Sequence, residues 1–255
     1  MRNRLAALLF LTCSPLFGQS LFNGTWQMKM DTLQFSGPAE EYLVDRGGYR
    51  CESCVPKVDV KTDGTDQKVA GHPYDTIAIR ILDNRSVKFT MKKDGRTTFE
   101  CIETVSQDDQ SMIEEFTNTS ETETVTGKAG FIRVSKGPAA SHPLSGKWSM
   151  QTVHNATSAG TRTTYQATAN GMRISDGSQS YEAKFDEKDY QVGGDGHSTI
   201  SLKLIDDYTI EETDKQDGKT MTVARMTVSK DGKSMRVESS DKQRGGTMTY
   251  TAAKQ

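Results

Sequence analysis

Ile200 to Met235 reads ISLKLIDDYTIEETDKQDGKTMTVARMTVSKDGKSM. Apolar residues alternate through Ile200, Leu202 and Leu204, through Tyr208 and Ile210, and through Ala224, Met226 and Val228. Ser201, Lys203, Arg225 and Thr227 lie between them. A period of two marks a strand with one wet face. Asp206-Asp207, Asp217-Gly218 and Asp231-Gly232 punctuate the runs, and Asp-Gly suits tight hairpins because both residues tolerate positive φ. The stretch therefore predicts consecutive antiparallel strands.

The same pattern occurs a second time. Ile77 to Met112, IAIRILDNRSVKFTMKKDGRTTFECIETVSQDDQSM, aligns without a gap at the 123 positions that separate Asp94 from Asp217. Asp83 then meets Asp206, Asp94-Gly95 meets Asp217-Gly218, Thr104-Val105-Ser106 meets Thr227-Val228-Ser229, and Ser111-Met112 meets Ser234-Met235. Further out, Gly24-Thr25-Trp26 meets Gly146-Lys147-Trp148 after a one-residue slip, so the only two tryptophans each open one copy. Two copies are too few for a solenoid or propeller, and a tandem pair of similar domains is expected.

The expected division is a signal peptide at 1–20, a first β-barrel repeat at 21–139, a linker at 140–143 and a second repeat at 144–255. Arg2 and Arg4 precede an apolar run from Leu5 to Leu11, and small residues follow at Gly18 and Ser20, the pattern of a secretory leader cleaved near Ser20. Thr12 before Cys13 does not suit lipid attachment. No apolar stretch is long enough to span a bilayer as a helix, so a secreted or periplasmic protein is expected. With 34% hydrophobic residues and a formal charge of −2, the chain lacks the basic patch that nucleic acid requires. Each copy should contain eight or nine short strands as an all-β, antiparallel up-and-down barrel, with β-sandwiches as the alternative. A helical turn is expected within Asp31 to Glu41. Lys136 to Pro143, with two prolines and small residues, should separate the domains.

Phe22-Asn23-Gly24-Thr25-Trp26 and Leu144-Ser145-Gly146-Lys147-Trp148 resemble the opening of the lipocalin, fatty-acid-binding and avidin barrels. Asp217-Gly218-Lys219-Thr220 and a last strand ending at Tyr250 look like the late hairpins of fatty-acid-binding proteins. The whole chain resembles tandemly duplicated lipocalin-like (calycin-type) secreted bacterial proteins. In the fatty-acid-binding family an Arg two residues before the final Tyr helps hold a ligand carboxylate, whereas this chain has Met248 there. The resemblance implies a fold, not a fatty-acid ligand or an activity.

Cys51, Cys54 and Cys101 have no cysteine counterparts in the second copy. In an exported protein they suggest a structural disulfide, expected to join Cys101 to Cys51 or Cys54, ahead of zinc or redox chemistry. The four histidines stand near no nucleophile elbow. Glu114-Glu115 and Glu211-Glu212 are adjacent on strands, so their members point to opposite faces and are expected on solvated sheet surfaces. No catalytic residue, metal site or cofactor is expected. The expected function is a non-catalytic binding module holding a small apolar or amphipathic ligand. Candidate lining residues are Trp26, Trp148, Met150, Leu202, Leu204, Tyr208, Ile210, Met226, Val228 and Tyr250. The alternative is a module with solid barrels that binds an extracytoplasmic protein.

Overall fold

A computed structural model describes residues 20–120, 123–176, 180–192 and 197–255. The expected leader, apart from Ser20, lies outside them. The first half contains β1 (Gly24–Ser36), β2 (Glu40–Asp45), β3 (Gly48–Cys51), β4 (Val58–Lys61), β5 (Gln67–Lys68), β6 (Thr76–Ile81), β7 (Ser86–Lys93), β8 (Arg96–Val105), β9 (Ser111–Asn118) and β10 (Val125–Lys136). The second half repeats the series. It comprises β11 (Gly146–His154), β12 (Arg162–Ala167), β13 (Gly171–Ser175), β14 (Ser180–Lys184), β15 (Tyr190–Gln191), β16 (Ser198–Asp206), β17 (Thr209–Gln216), β18 (Lys219–Val228), β19 (Ser234–Asp241) and β20 (Thr247–Lys254). The protein is all-β, with two antiparallel, nearly closed, barrel-like sheets of ten strands each. The Asp-Gly hairpins form as the sequence requires, with φ of 51° and 76° at Asp94-Gly95 and 50° and 75° at Asp217-Gly218.

The sheets are not built from contiguous halves. One runs β4-β3-β2-β11-β10-β9-β8-β7-β6-β5 and the other β14-β13-β12-β1-β20-β19-β18-β17-β16-β15. Each barrel takes its opening strand from the other copy, so 21–139 and 144–255 describe the duplication but not the sheets. The cause lies in the linker. Instead of separating two domains, it turns β10 straight back into β11, held by Gly137 N–H to Ser145 O at 3.1 Å and Ser145 N–H to His142 O at 2.8 Å. A local hairpin costs little loop entropy. With β11 seated between β10 and β2, β1 fills the matching place between β20 and β12. The chain crosses between sheets just after Ser36 and again between His154 and Arg162.

The expected helical turn within Asp31 to Glu41 is absent, because β1 continues through a register shift as far as Ser36. A 3-10 turn forms instead at Ser158–Thr161. Equivalent glycines open the exchanged strands, with φ of +122° at Gly24 and +128° at Gly146, a region that favours glycine. A Cβ at residue 146 would lie 2.2 Å from the Ser135 carbonyl oxygen.

Each barrel has its own core. Trp148, Phe131, Met112, Ile77, Ile79 and Val44 pack in the first; Trp26, Met172, Leu202, Ile210, Met226 and Met235 pack in the second. Both tryptophans are essentially unexposed, and each indole N–H donates to the carbonyl four residues earlier, Phe22 O at 2.7 Å and Leu144 O at 2.8 Å.

Candidate site between the barrel mouths

Burial along the strands shows that each barrel is packed at one end and open at the other. On β17, Thr209 and Ile210 are buried, whereas the residues from Glu211 to Gln216 are all half-buried. On β18, Met226 and Val228 are buried and Thr222 and Ala224 are half-buried. Alternation from Ile210 carries Glu212 and Asp214 inward, and alternation from Met226 carries Ala224 and Thr222 inward.

The two open ends face one inter-sheet space. One cavity, of about 500 Å³, is lined by Thr222, Ser239 and Met248 of the second barrel and by Glu40, Ser149 and Met150 of the first. A second, of about 370 Å³, reaches Trp26, Tyr165 and Tyr250 and has Phe116, Asn118 and Val125 of the first sheet on its other side. The Arg244 guanidinium crosses the gap to Glu40 at 3.9 Å.

Both barrel interiors carry buried acids. In the second barrel the Tyr181 hydroxyl donates to Glu212 Oε2 at 2.7 Å. Burial, with the neighbouring Asp214 charge, pushes the Glu212 carboxyl up to about 8, and burial raises Asp214 to about 6. Burial and then the Glu212 charge raise the Tyr250 hydroxyl to about 12. In the first barrel Glu103 and Glu114 are directly opposed on β8 and β9. Burial, reinforced by Glu40, lifts Glu114 to about 7; burial pushes Glu103 well above the usual carboxylate range, helped by Glu114. Among the described residues, no lysine, arginine or histidine forms an ion pair with Glu103, Glu114, Glu212 or Asp214.

These positions correct the expectation of solvated carboxylates, because Glu114 and Glu212 turn inward while Glu115 and Glu211 pair with Lys128 and Arg225. The signal was present in the hairpin register. Val105 faces Met112 beside the β8–β9 turn, so counting two residues back along each strand places Glu103 opposite Glu114.

The candidate lining residues separate into groups. Leu202, Ile210, Met226 and Val228 form the packed end of the second barrel, with Leu204 and Tyr250 half-buried against it. Trp26 and Tyr250 line the smaller cavity and Met150 the larger. Trp148 and Met150 belong to the first barrel, not beside Leu202 and Ile210, because β11 is exchanged. Tyr208 is 36% exposed, since it sits in the turn between β16 and β17 where strand alternation has ended.

The disulfide joins Cys51 to Cys54, and Cys101 is a buried free thiol. The expected partner for Cys101 was wrong because β8 lies five places from β3 in the sheet, whereas the turn after β3 brings Cys54 back to Cys51 with Cα atoms 5.4 Å apart. Among the described residues no helix is long and apolar enough to cross a membrane.

Comparison with protein families, curated proteins and solved structures finds no significant match for this chain. What the fold and site define is a class: an all-β protein of two nearly closed, barrel-like sheets with buried acids inside each and cavities between them.

Proposed function

We propose that the protein is a secreted, non-enzymatic, lipocalin-like binding module that holds a small amphipathic molecule bearing an organic cation between its barrel mouths. One observation carries the reading. Glu212 and Asp214 share the interior of a barrel with Tyr181, Tyr165 and Tyr250, and among the described residues no protein cation pairs with either carboxylate. An ammonium group gains from both a carboxylate and aromatic faces, and the apolar wall accommodates its tail. The arginine-rich N-terminus followed by an apolar run, together with the Cys51–Cys54 bridge, supports export.

The test is calorimetric titration of an alkylammonium into the wild-type protein and into Glu212→Gln/Asp214→Asn. Loss of on the order of tenfold or more in affinity is expected, corresponding to about 1.4 kcal/mol. Equal affinity in the two proteins would overturn the reading.

A protein-binding role has its own supporting observation. Ile113, Ile132 and Val134 stand 43%, 50% and 58% exposed on the outer face of the adjacent strands β9 and β10. Such an apolar stripe suits a partner surface.

A further inference from the structure

We propose that the interior of the first barrel is a metal site, with Cys101, Glu103 and Glu114 as ligands for a single zinc-class divalent ion. Cys101 and Glu103 alternate inward on β8, and Glu114 opposes Glu103 on β9. The Cys101 Sγ and one oxygen from each carboxylate lie within 4.8 Å of one another. Modest side-chain adjustment brings three such atoms onto a tetrahedral ion with bonds of roughly 2.0 to 2.3 Å.

A second observation points to a ligand. Glu103 is only 5% exposed, and its Oε2 has no hydrogen-bond partner. Native proteins rarely leave a buried carboxylate oxygen unsatisfied, because its lost hydration goes unreplaced. A divalent ion would satisfy it.

The duplication supplies an internal control. At the 123-residue shift the three places hold Ala224, Met226 and Val237, in strands paired the same way, and Met226 and Val237 are buried. The barrel therefore closes around apolar residues at all three positions, and the polar trio is not a requirement of the fold. One thiolate and two carboxylates suit zinc, with water in the fourth place, better than magnesium or calcium, which take six or more oxygen ligands. On binding, the thiol proton and any protons held by the two carboxyls leave to solvent, and the thiolate sulfur and the carboxylate oxygens donate to the metal. Glu114 is half-buried, so the site is not fully sealed from solvent.

The experiment is cobalt(II) titration of the full mature chain with its disulfide intact and no reductant present. One equivalent should produce tetrahedral visible bands together with a sulfur-to-cobalt charge-transfer band, and zinc should displace both. Cys101→Ser should abolish the charge-transfer band, and Glu103→Gln should weaken binding by on the order of 100-fold. The triple variant C101A/E103M/E114V, which carries the second barrel's residues, should fold and take up no cobalt. If the triple variant does not fold, the spectrum of Cys101→Ser decides. Absence of the charge-transfer band in the wild-type protein, its persistence in Cys101→Ser, or equal uptake by the folded triple variant would overturn the site.

Discussion

The guanidinium carbon of Arg133 lies 3.9 Å from the centroid of the Trp148 ring, and the two residues come from different copies of the duplicated sequence. The second barrel repeats the arrangement with Lys254 Nζ 5.2 Å from Trp26. In each case the last strand of one copy caps the opening tryptophan of the other, locking the exchanged strand in place. Arg133 also donates to the carbonyls of Ser145, at 2.8 Å, and Pro143, while Lys254 donates to Leu21 O at 3.0 Å. Arg133→Ala should therefore cost about 2 to 4 kcal/mol by chemical denaturation, and Lys254→Ala about 1 kcal/mol. Equal costs would contradict the tighter first clamp.

The exchange itself can be trapped. The Thr25 and Thr164 hydroxyl oxygens are 2.9 Å apart on paired strands β1 and β12. In contiguous barrels Thr25 would take the place of Lys147, opposite Glu41. Thr25→Cys/Thr164→Cys should form an intramolecular disulfide on mild oxidation and Thr25→Cys/Glu41→Cys should not; the opposite result would show contiguous barrels.

Cys101 should react with thiol reagents only after unfolding, because it is buried and its thiol is pushed well up by burial and then by the Glu103 charge. Peptide mapping without reductant should recover Cys51 linked to Cys54 and Cys101 free. A Cys101 disulfide would refute the arrangement.

Stability should fall as pH rises from about 4 to about 8. Glu212 and Asp214 bind protons more tightly folded, at about 8 and about 6, than unfolded near 4. Within that window the native state holds more protons, so its advantage is present at low pH and lost as each carboxyl ionises. Glu212→Gln/Asp214→Asn should flatten the slope and raise stability at pH 8 by on the order of 2 kcal/mol, after screening by water in the open mouth. A steeper slope in the variant would contradict this.

The strands and their turns were readable because alternation and Asp-Gly are local signals. The exchange was not, because Gly24-Thr25-Trp26 and Gly146-Lys147-Trp148 are near-equivalent and either strand satisfies either barrel. Only the tertiary closure of the β10–β11 hairpin decides between them. The buried acids were obscured for another reason. A carboxylate next to another on a strand looks solvated until the neighbouring strand's register shows what faces it, as Glu114 faces Glu103. Tyr208 is exposed because strand alternation ends at the turn between β16 and β17.

The proposed ligand class is tested most directly by tryptophan emission. Trp26 lines the smaller cavity, whereas Trp148 is packed in the other barrel's core, so Trp148→Phe leaves a single reporter at the site. Titrating that variant with an alkylammonium and with the alkyl carboxylate of equal chain length should give a saturable emission change for the ammonium alone. A saturable change with the carboxylate of equal or greater affinity, or none with the ammonium, would contradict an organic-cation site between the mouths.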